Sequence, residues 1–216
     1  MAINYADLKT KGLLVHACCG PCATYPTEEL LEQGVKPLLY YYNPNIHPQK
    51  EWQRRYLSLR QLAKLRELLL IYDESYREAE WLAKGPGPER CLFCYQERLE
   101  HTAEKARDLG LKYFTTSLLI SPYQNREAIV AAGEAAAEKY GRLFWAADWR
   151  EHFRQGQNEA RDLGLYRQKY CGCIYSLRDS KFYDKIISAQ AAFELPEDCP
   201  QLRVASGNFA SANKVE

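Results

Sequence analysis

The sequence predicts an α/β fold, a mainly parallel sheet with helices on both faces. Two observations carry this. Short apolar runs of strand length alternate with longer segments whose apolar residues recur at helical spacing, and glycine or proline punctuates most of the junctions. Residues 12–16 (GLLVH) read as the first buried strand, and the turn ACCGPC leads to a helix near residues 27–33, stopped by Gly34. Residues 38–42 are the second strand. After the turn NPNIHP, residues 50–67 place Trp52, Tyr56, Leu59 and Leu62 at helical spacing, and LLLIY from Leu68 is the third strand. A shorter helix at 78–84 ends in the loop signal GPGP, and residues 91–109 are helical with Gly110 as their stop. Residues 113–116 supply another strand, 125–139 a helix rich in alanine and glutamate, and 143–145 a short strand; an irregular, charged stretch then runs to Lys169. In such folds sites form at the carboxyl ends of strands, and the turn after the first strand is such a place.

The 216 residues suffice for one generous domain, which by the usual scaling removes roughly 70% of its unfolded surface from water. Neither a disulfide nor a metal is therefore needed merely to fold. With no internal repeat and no long linker, residues 1–200 are expected to form a single domain and 201–216 a loose tail. The opening MAINYADLKTKG lacks an apolar region of secretory length, and the longest apolar runs are too short to span a bilayer, so the cytoplasm is the expected compartment. A formal charge of +1 excludes a protein that clings to any polyanion, while leaving room for a local basic face.

In a reducing compartment the eight cysteines cannot be read as a disulfide framework, so their spacing carries the meaning. Seven fall in three clusters, CCGPC (Cys18, Cys19, Cys22), CLFC (Cys91, Cys94) and CGC (Cys171, Cys173), and Cys199 stands apart. The CLFC pair is expected to open a helix, where an i, i+3 spacing puts both sulfurs on one face near free backbone N–H groups. Gly172 lets the chain bend between two ligands, and Pro21 is expected to keep CCGPC a sharp turn rather than a helix. An all-cysteine site for zinc or a four-iron cluster is saturated by four thiolates, which leaves three for a second metal beside it. Each cluster alone has a plainer reading, as structural zinc or as unrelated buried cysteines.

The residues HACCGPC (16–22), YYYNPNIHP (40–48), CxxCY (91–95), SxxxSP (117–122) and YRQKYCGCIYS (166–176) together resemble the QueH-type epoxyqueuosine reductases, which complete the synthesis of the modified nucleoside queuosine in tRNA. The resemblance runs from about residue 12 to 184 and implies a Rossmann-like fold, a [4Fe-4S] cluster, an adjacent mononuclear metal ion, expected to be iron, and a tRNA substrate. The expected division gives Cys19, Cys91, Cys94 and Cys173 to the cluster and Cys18, Cys22 and Cys171 to the second metal, though spacing alone leaves other divisions open. The chain departs from the pattern at Cys22, a position associated with the second metal where members of the family can carry Asp.

Removing an epoxide oxygen as water consumes two electrons and two protons. The expectation is that the cluster supplies electrons, the second metal binds the epoxide oxygen as a Lewis acid, and side chains deliver protons. Asp148, Tyr41 and His16 are the candidate acids by their places near strand ends and turns; a buried strand-end role for His16 and a helix cap for Asp148 are the plainer alternatives. Trp149, Arg150, Phe153, Arg154, Arg161, Tyr166, Arg167, Lys169 and Tyr170 interleave aromatic and basic side chains before CGC, as expected where bases stack and phosphates are neutralised, and Arg150, Arg154, Tyr166 and Arg167 are the candidate tRNA contacts. Asn43 and Asn45 either read the modified base or fix the NPNIHP turn. Arg54, Arg55, Arg60, Lys64 and Arg66 read as a solvated helix face. Two rival classes are a tRNA-modifying ATP pyrophosphatase or thiolase-like enzyme, which calls for a glycine-rich phosphate cradle in place of HACCGPC, and a non-catalytic zinc module that binds RNA.

Overall fold

A computed structural model describes residues 3–199 together with the backbone of 214–215. The helices are α1 (Tyr5–Lys11), α2 (Gly20–Glu32), α3 (Gln49–Leu65), α4 (Glu78–Lys84), α5 (Pro88–Asp108), α6 (Arg126–Tyr140), α7 (Phe153–Asp162), α8 (Ile174–Arg178) and α9 (Tyr183–Ala191). The strands β1 (Leu13–His16), β2 (Leu38–Tyr41), β3 (Leu70–Tyr72), β4 (Tyr113–Thr116), β5 (Leu143–Phe144) and β6 (Lys214–Val215) form one sheet in the order β5-β4-β1-β2-β3-β6. All neighbours are parallel except β6, which pairs antiparallel with β3. Of the expected loose tail, residues 201–213 and 216 lie outside the described residues.

Period-2 alternation along the strands feeds two cores. Leu13, Val15, Leu39, Tyr41 and Leu70 meet Ala23 and Leu30 of α2 and Trp52, Tyr56, Leu59 and Leu62 of α3 on one face. Leu14, Tyr40, Ile71, Phe114 and Phe144 meet Leu99, Ala103 and Ala106 of α5 and Ile129 and Ala136 of α6 on the other. Burial on both faces is what makes these strands read as continuous apolar runs. The chain leaves β1 on one side for β2 and β3, then returns to its other side at β4, so a crevice opens between the carboxyl ends of β1 and β4.

Four expectations are corrected. Helix α2 begins at Gly20 rather than near residue 27, because Pro21 occupies the first turn, where its missing N–H costs nothing, so Cys22 is helical. Helix α5 begins at Pro88, a turn before CLFC, which places Cys91 past the first three positions. The stretch before Lys169 is not irregular but contains the 3-10 turn Arg150–His152 and α7. Arg55 is not on a solvated face: it is fully buried and ion-paired with Glu51 at 2.7 Å.

Gly20 is required by a close approach rather than by its backbone angles. A Cβ there would stand 2.5 Å from Ser58 Oγ and 2.7 Å from the Ser58 carbonyl oxygen of α3. Gly20→Ala is expected to push α2 off α3 and lower stability by about 1–3 kcal/mol, read as a drop in the urea midpoint at unchanged slope.

Candidate metal centre

Cys18, Cys19 and Cys22 come together because β1 ends directly before α2. Their sulfurs lie within 4.8 Å of one another and all three residues are buried. Cys19 is the N-cap of α2, with extended backbone, and Cys22 follows in the first turn. The 3-10 turn Ser117–Ile120 after β4 fixes the position of Cys18: the Cys18 N–H donates to Ser117 Oγ at 3.1 Å, and the Ser117 hydroxyl donates back to Cys18 Sγ at 3.6 Å. Thiol hydrogen bonds from Cys19 and Cys22 hold the Cys18 thiol well below its ordinary range, while burial pushes Cys19 up and the neighbouring Cys18 pushes Cys22 up.

A second group forms across the fold. Cys91 and Cys94 on α5 and Cys171 and Cys173 of the CGC turn line one small cavity with Asn45, Arg98 and Gln124. Gly172 permits that turn at φ +137°, and a Cβ there would press to 3.1 Å from both Arg55 Nη1 and Ile46. Arg55 fixes the turn from α3, donating to the carbonyls of Cys171 at 2.8 Å and Tyr170 at 2.9 Å. A larger cavity of about 490 Å³ joins the two groups, with Cys18 and Cys22 on one wall and Cys91, Cys171 and Cys173 on the other.

The donor set fits metal-bound thiolates. Arg98 is only 2% exposed, and among the described residues it forms no ion pair with a carboxylate. Its guanidinium donates twice to Asn45 Oδ1, at 2.9 and 2.6 Å, and Asn45 Nδ2 donates to Cys94 Sγ at 3.1 Å. A buried cation needs an anion, and the charges Arg98 feels most are Cys94, Cys18 and Cys171. Burial pushes the Cys94 thiol up to about 12, so that sulfur carries charge at neutral pH only when a metal displaces its proton. Converging soft sulfur ligands suit iron-sulfur or zinc chemistry and not magnesium or calcium. Side-chain amides finish the walls: Gln124 Nε2 and Gln168 Nε2 donate to Cys171 and Cys22 sulfurs, each at 3.5 Å.

By geometry the clustered cysteines fall into two groups, Cys18, Cys19 and Cys22 in one and Cys91, Cys94, Cys171 and Cys173 in the other, which differs from the expected division at Cys19 and Cys171. The candidate acids lie elsewhere. His16 is fully buried with Nε2 donating to the Tyr42 carbonyl at 3.0 Å and Nδ1 bonded to Thr116 Oγ1 at 2.8 Å; burial and Arg98 push its pKa down to about 4. Tyr41 is equally buried, its hydroxyl donating to the Trp52 carbonyl at 2.8 Å. Asp148, 43% exposed, sits 2.6 Å from Arg150, whose hydrogen bonds lower its pKa. None of the three lines either sulfur cavity. Asn43 donates to the Ala17 carbonyl at 3.0 Å and fixes the turn after β1, whereas Asn45 reaches a sulfur. Arg150, Arg154 and Arg167 are exposed, and Tyr166 is tied inward, its hydroxyl donating to Glu51 at 2.8 Å and its ring covered by Arg54 at 3.9 Å.

Sequence reasoning missed Arg98, Gln124, Gln168, Lys169 as a wall residue, and Tyr123. For Arg98 a signal existed: it stands one helical turn after Cys94 and shares its face. Tyr95, quoted in the CxxCY motif, also lines the larger cavity, with its hydroxyl donating to Gln124 Oε1 at 2.7 Å.

The family model described as Epoxyqueuosine reductase QueH matches residues 13–179. A protein of Dehalococcoides mccartyi with that name is 40% identical over 166 residues, which cover 76% of this chain and 91% of the relative. One from Haemophilus influenzae is 37% identical over 180 residues, covering 78% of this chain and 72% of the relative. One from Thermotoga maritima is 32% identical over 180 residues, covering 78% and 92% respectively.

Proposed function

The chain belongs to the epoxyqueuosine reductase QueH family and is an oxidoreductase, and from that premise we propose that it reduces the epoxide of epoxyqueuosine within tRNA to queuosine, releasing water. The observation that carries the reading is one open cavity with Cys18 and Cys22 on one wall and Cys91, Cys171 and Cys173 on the other, backed by a smaller cavity where Cys94 meets the buried, carboxylate-free Arg98. Cys91, Cys94, Cys171 and Cys173 hold a [4Fe-4S] cluster in this proposal, and Cys18, Cys19 and Cys22 an adjacent metal ion, most simply iron. When bound, the pair supplies single electrons and a Lewis acid. The setting is the cytoplasm, where tRNA is modified; no helix among the described residues is long and apolar enough to cross a membrane.

The protein's own part is to admit one nucleoside, exclude bulk water and deliver two protons for the two electrons consumed. A cavity of about 490 Å³ is of the size that encloses a small organic ligand. Protons come from its walls rather than from His16, Tyr41 or Asp148. Tyr95 and Lys169 both face the cavity, and burial pushes the Tyr95 phenol up to about 12, so it holds its proton at neutral pH. Helix α2 does not act as a phosphate cradle, because Pro21 removes an N–H at its start and its N-terminal turn presents thiols.

The test is protein purified without oxygen, assayed for iron and sulfide, with conversion of epoxyqueuosine to queuosine followed in tRNA. The expected result is brown protein with about four irons in a cluster plus up to one further metal per chain. Stoichiometric zinc with no sulfide overturns the reading. Cys199→Ser is expected to keep its full iron content, since Cys199 packs in the core beneath α3 with Arg60 Nη1 at 2.8 Å from its sulfur, away from both cysteine groups. Iron loss comparable to that of a clustered cysteine would contradict this.

A further inference from the structure

Tyr123 is 83% exposed, more than any other large apolar or aromatic side chain among the described residues. It sits in the loop between β4 and α6, at the rim of the sulfur-lined cavity, and Phe153 at the start of α7 meets it edge to face, with ring centroids 5.7 Å apart. Such an exposed ring in water gains nothing for the fold, yet it is braced: Phe153 packs against it, and the Tyr123 N–H donates to Ser121 Oγ at 3.3 Å. The following residue, Gln124, bonds Cys171 Sγ, so the platform is joined to the metal wall through one peptide unit. Arg90 and Lys169 line the same cavity, and Arg154 is exposed next to Phe153, giving cationic groups near the ring.

We propose that Tyr123, braced by Phe153, is a stacking platform for the RNA base adjacent to the nucleoside that enters the cavity. The proposal rests on the tRNA reading above. Drawing one nucleoside of an unpaired loop into a pocket strips its neighbour of a stacking partner, and an aromatic face at the pocket rim replaces that partner whatever the base. The nearby cations meet the flanking phosphates. Tyr166, which the sequence suggested for this task, is tied inward, and Tyr123 takes its place.

The experiment uses iron-loaded protein and an anticodon stem-loop RNA carrying 2-aminopurine beside the wobble position, together with kinetics on epoxyqueuosine tRNA. Wild-type protein and Tyr123→Phe are expected to quench the 2-aminopurine fluorescence and bind alike. Tyr123→Ala is expected to lose the quench and to raise Kd and KM about tenfold, with kcat, iron and sulfide unchanged. Full quench and unchanged Kd in Tyr123→Ala overturn the platform while leaving the tRNA reading intact. If wild-type protein itself neither binds nor converts the RNA, the parent reading fails and the platform fails with it.

Discussion

Cys94→Ser is expected to leave the protein without iron or sulfide and without epoxide reduction, whereas Cys22→Asp keeps both and retains activity within about 100-fold of wild type. Cys94 is buried in the group of four, its sulfur accepting from Asn45 Nδ2 at 3.1 Å, and a serine there offers a harder oxygen that stays protonated. Cys22 belongs to the group of three on α2, so a carboxylate changes the neighbouring metal's Lewis acidity but leaves the four cluster thiolates in place. Cys171→Ser against Cys19→Ser separates the two divisions of the thiolates. The geometry assigns sulfide loss to Cys171→Ser alone, and the division expected from sequence assigns it to Cys19→Ser. Iron and sulfide assays on these four variants decide the matter; if Cys22→Asp loses as much as Cys94→Ser, the grouping is wrong.

Arg98→Met is expected to cost loaded protein about 2 kcal/mol more than metal-free protein, equivalent to roughly 30-fold weaker retention of iron against a chelator. Without a bound metal, burial keeps Cys94, the sulfur whose charge bears most on Arg98, protonated. Metal binding turns the surrounding sulfurs anionic, and Arg98 then becomes a counter-charge where no carboxylate among the described residues pairs with it. Losing that positive charge also disfavours the reduced cluster, so the midpoint potential falls in a potentiometric titration. Arg98→Lys keeps the charge but loses the two-pronged bond to Asn45, and is expected to lie between. Equal costs in the loaded and metal-free states would remove Arg98 from the centre's electrostatics.

The central strands were legible because burial on both faces leaves unbroken apolar runs, α3 because large side chains repeat at helical spacing, α4 because GPGP closes it, and α6 because alanine and glutamate favour helix. Helix α7 was not, since it packs through small residues: Gly156 faces Tyr25, where a Cβ would come within 3.2 Å, and Ala160 is fully buried, so charges dominate its sequence. Helices α8 and α9 went unread because their core is only Tyr170, Leu177 and Ile186 with Ile174 beside it. That Cys18, Cys19 and Cys22 come together, and that CLFC and CGC line a common cavity beside them, was legible from count and spacing. How they divide was not, because it depends on the crossover from β3 to β4, which carries α5 over the end of β1. His16 and Tyr41 lie outside the sulfur cavities for a related reason: a polar residue at a strand end looks the same in sequence whether it faces a crevice or bonds a carbonyl. Arg55 and Arg98 were hidden among surface-like basic residues, since nothing local in sequence announces that an arginine is inside.

The group of four, to which the proposed function gives the cluster, draws its sulfurs from α5 and from the turn before α8, two places roughly 80 residues apart in the chain. A metal group held there closes a loop of that length, and by loop-closure entropy such a cross-link restricts the unfolded ensemble by about 4–5 kcal/mol. The turn is otherwise fastened chiefly to α3, by Arg55 to the Cys171 and Tyr170 carbonyls and by Tyr166 to Glu51, while from α5 Arg90 lies over the Tyr175 ring at 4.8 Å. On the proposed reading the centre is thus also a cross-link: oxygen that destroyed it would remove in one step both the redox group and a fastening of α8 and α9, and the damaged enzyme is expected to fray there first.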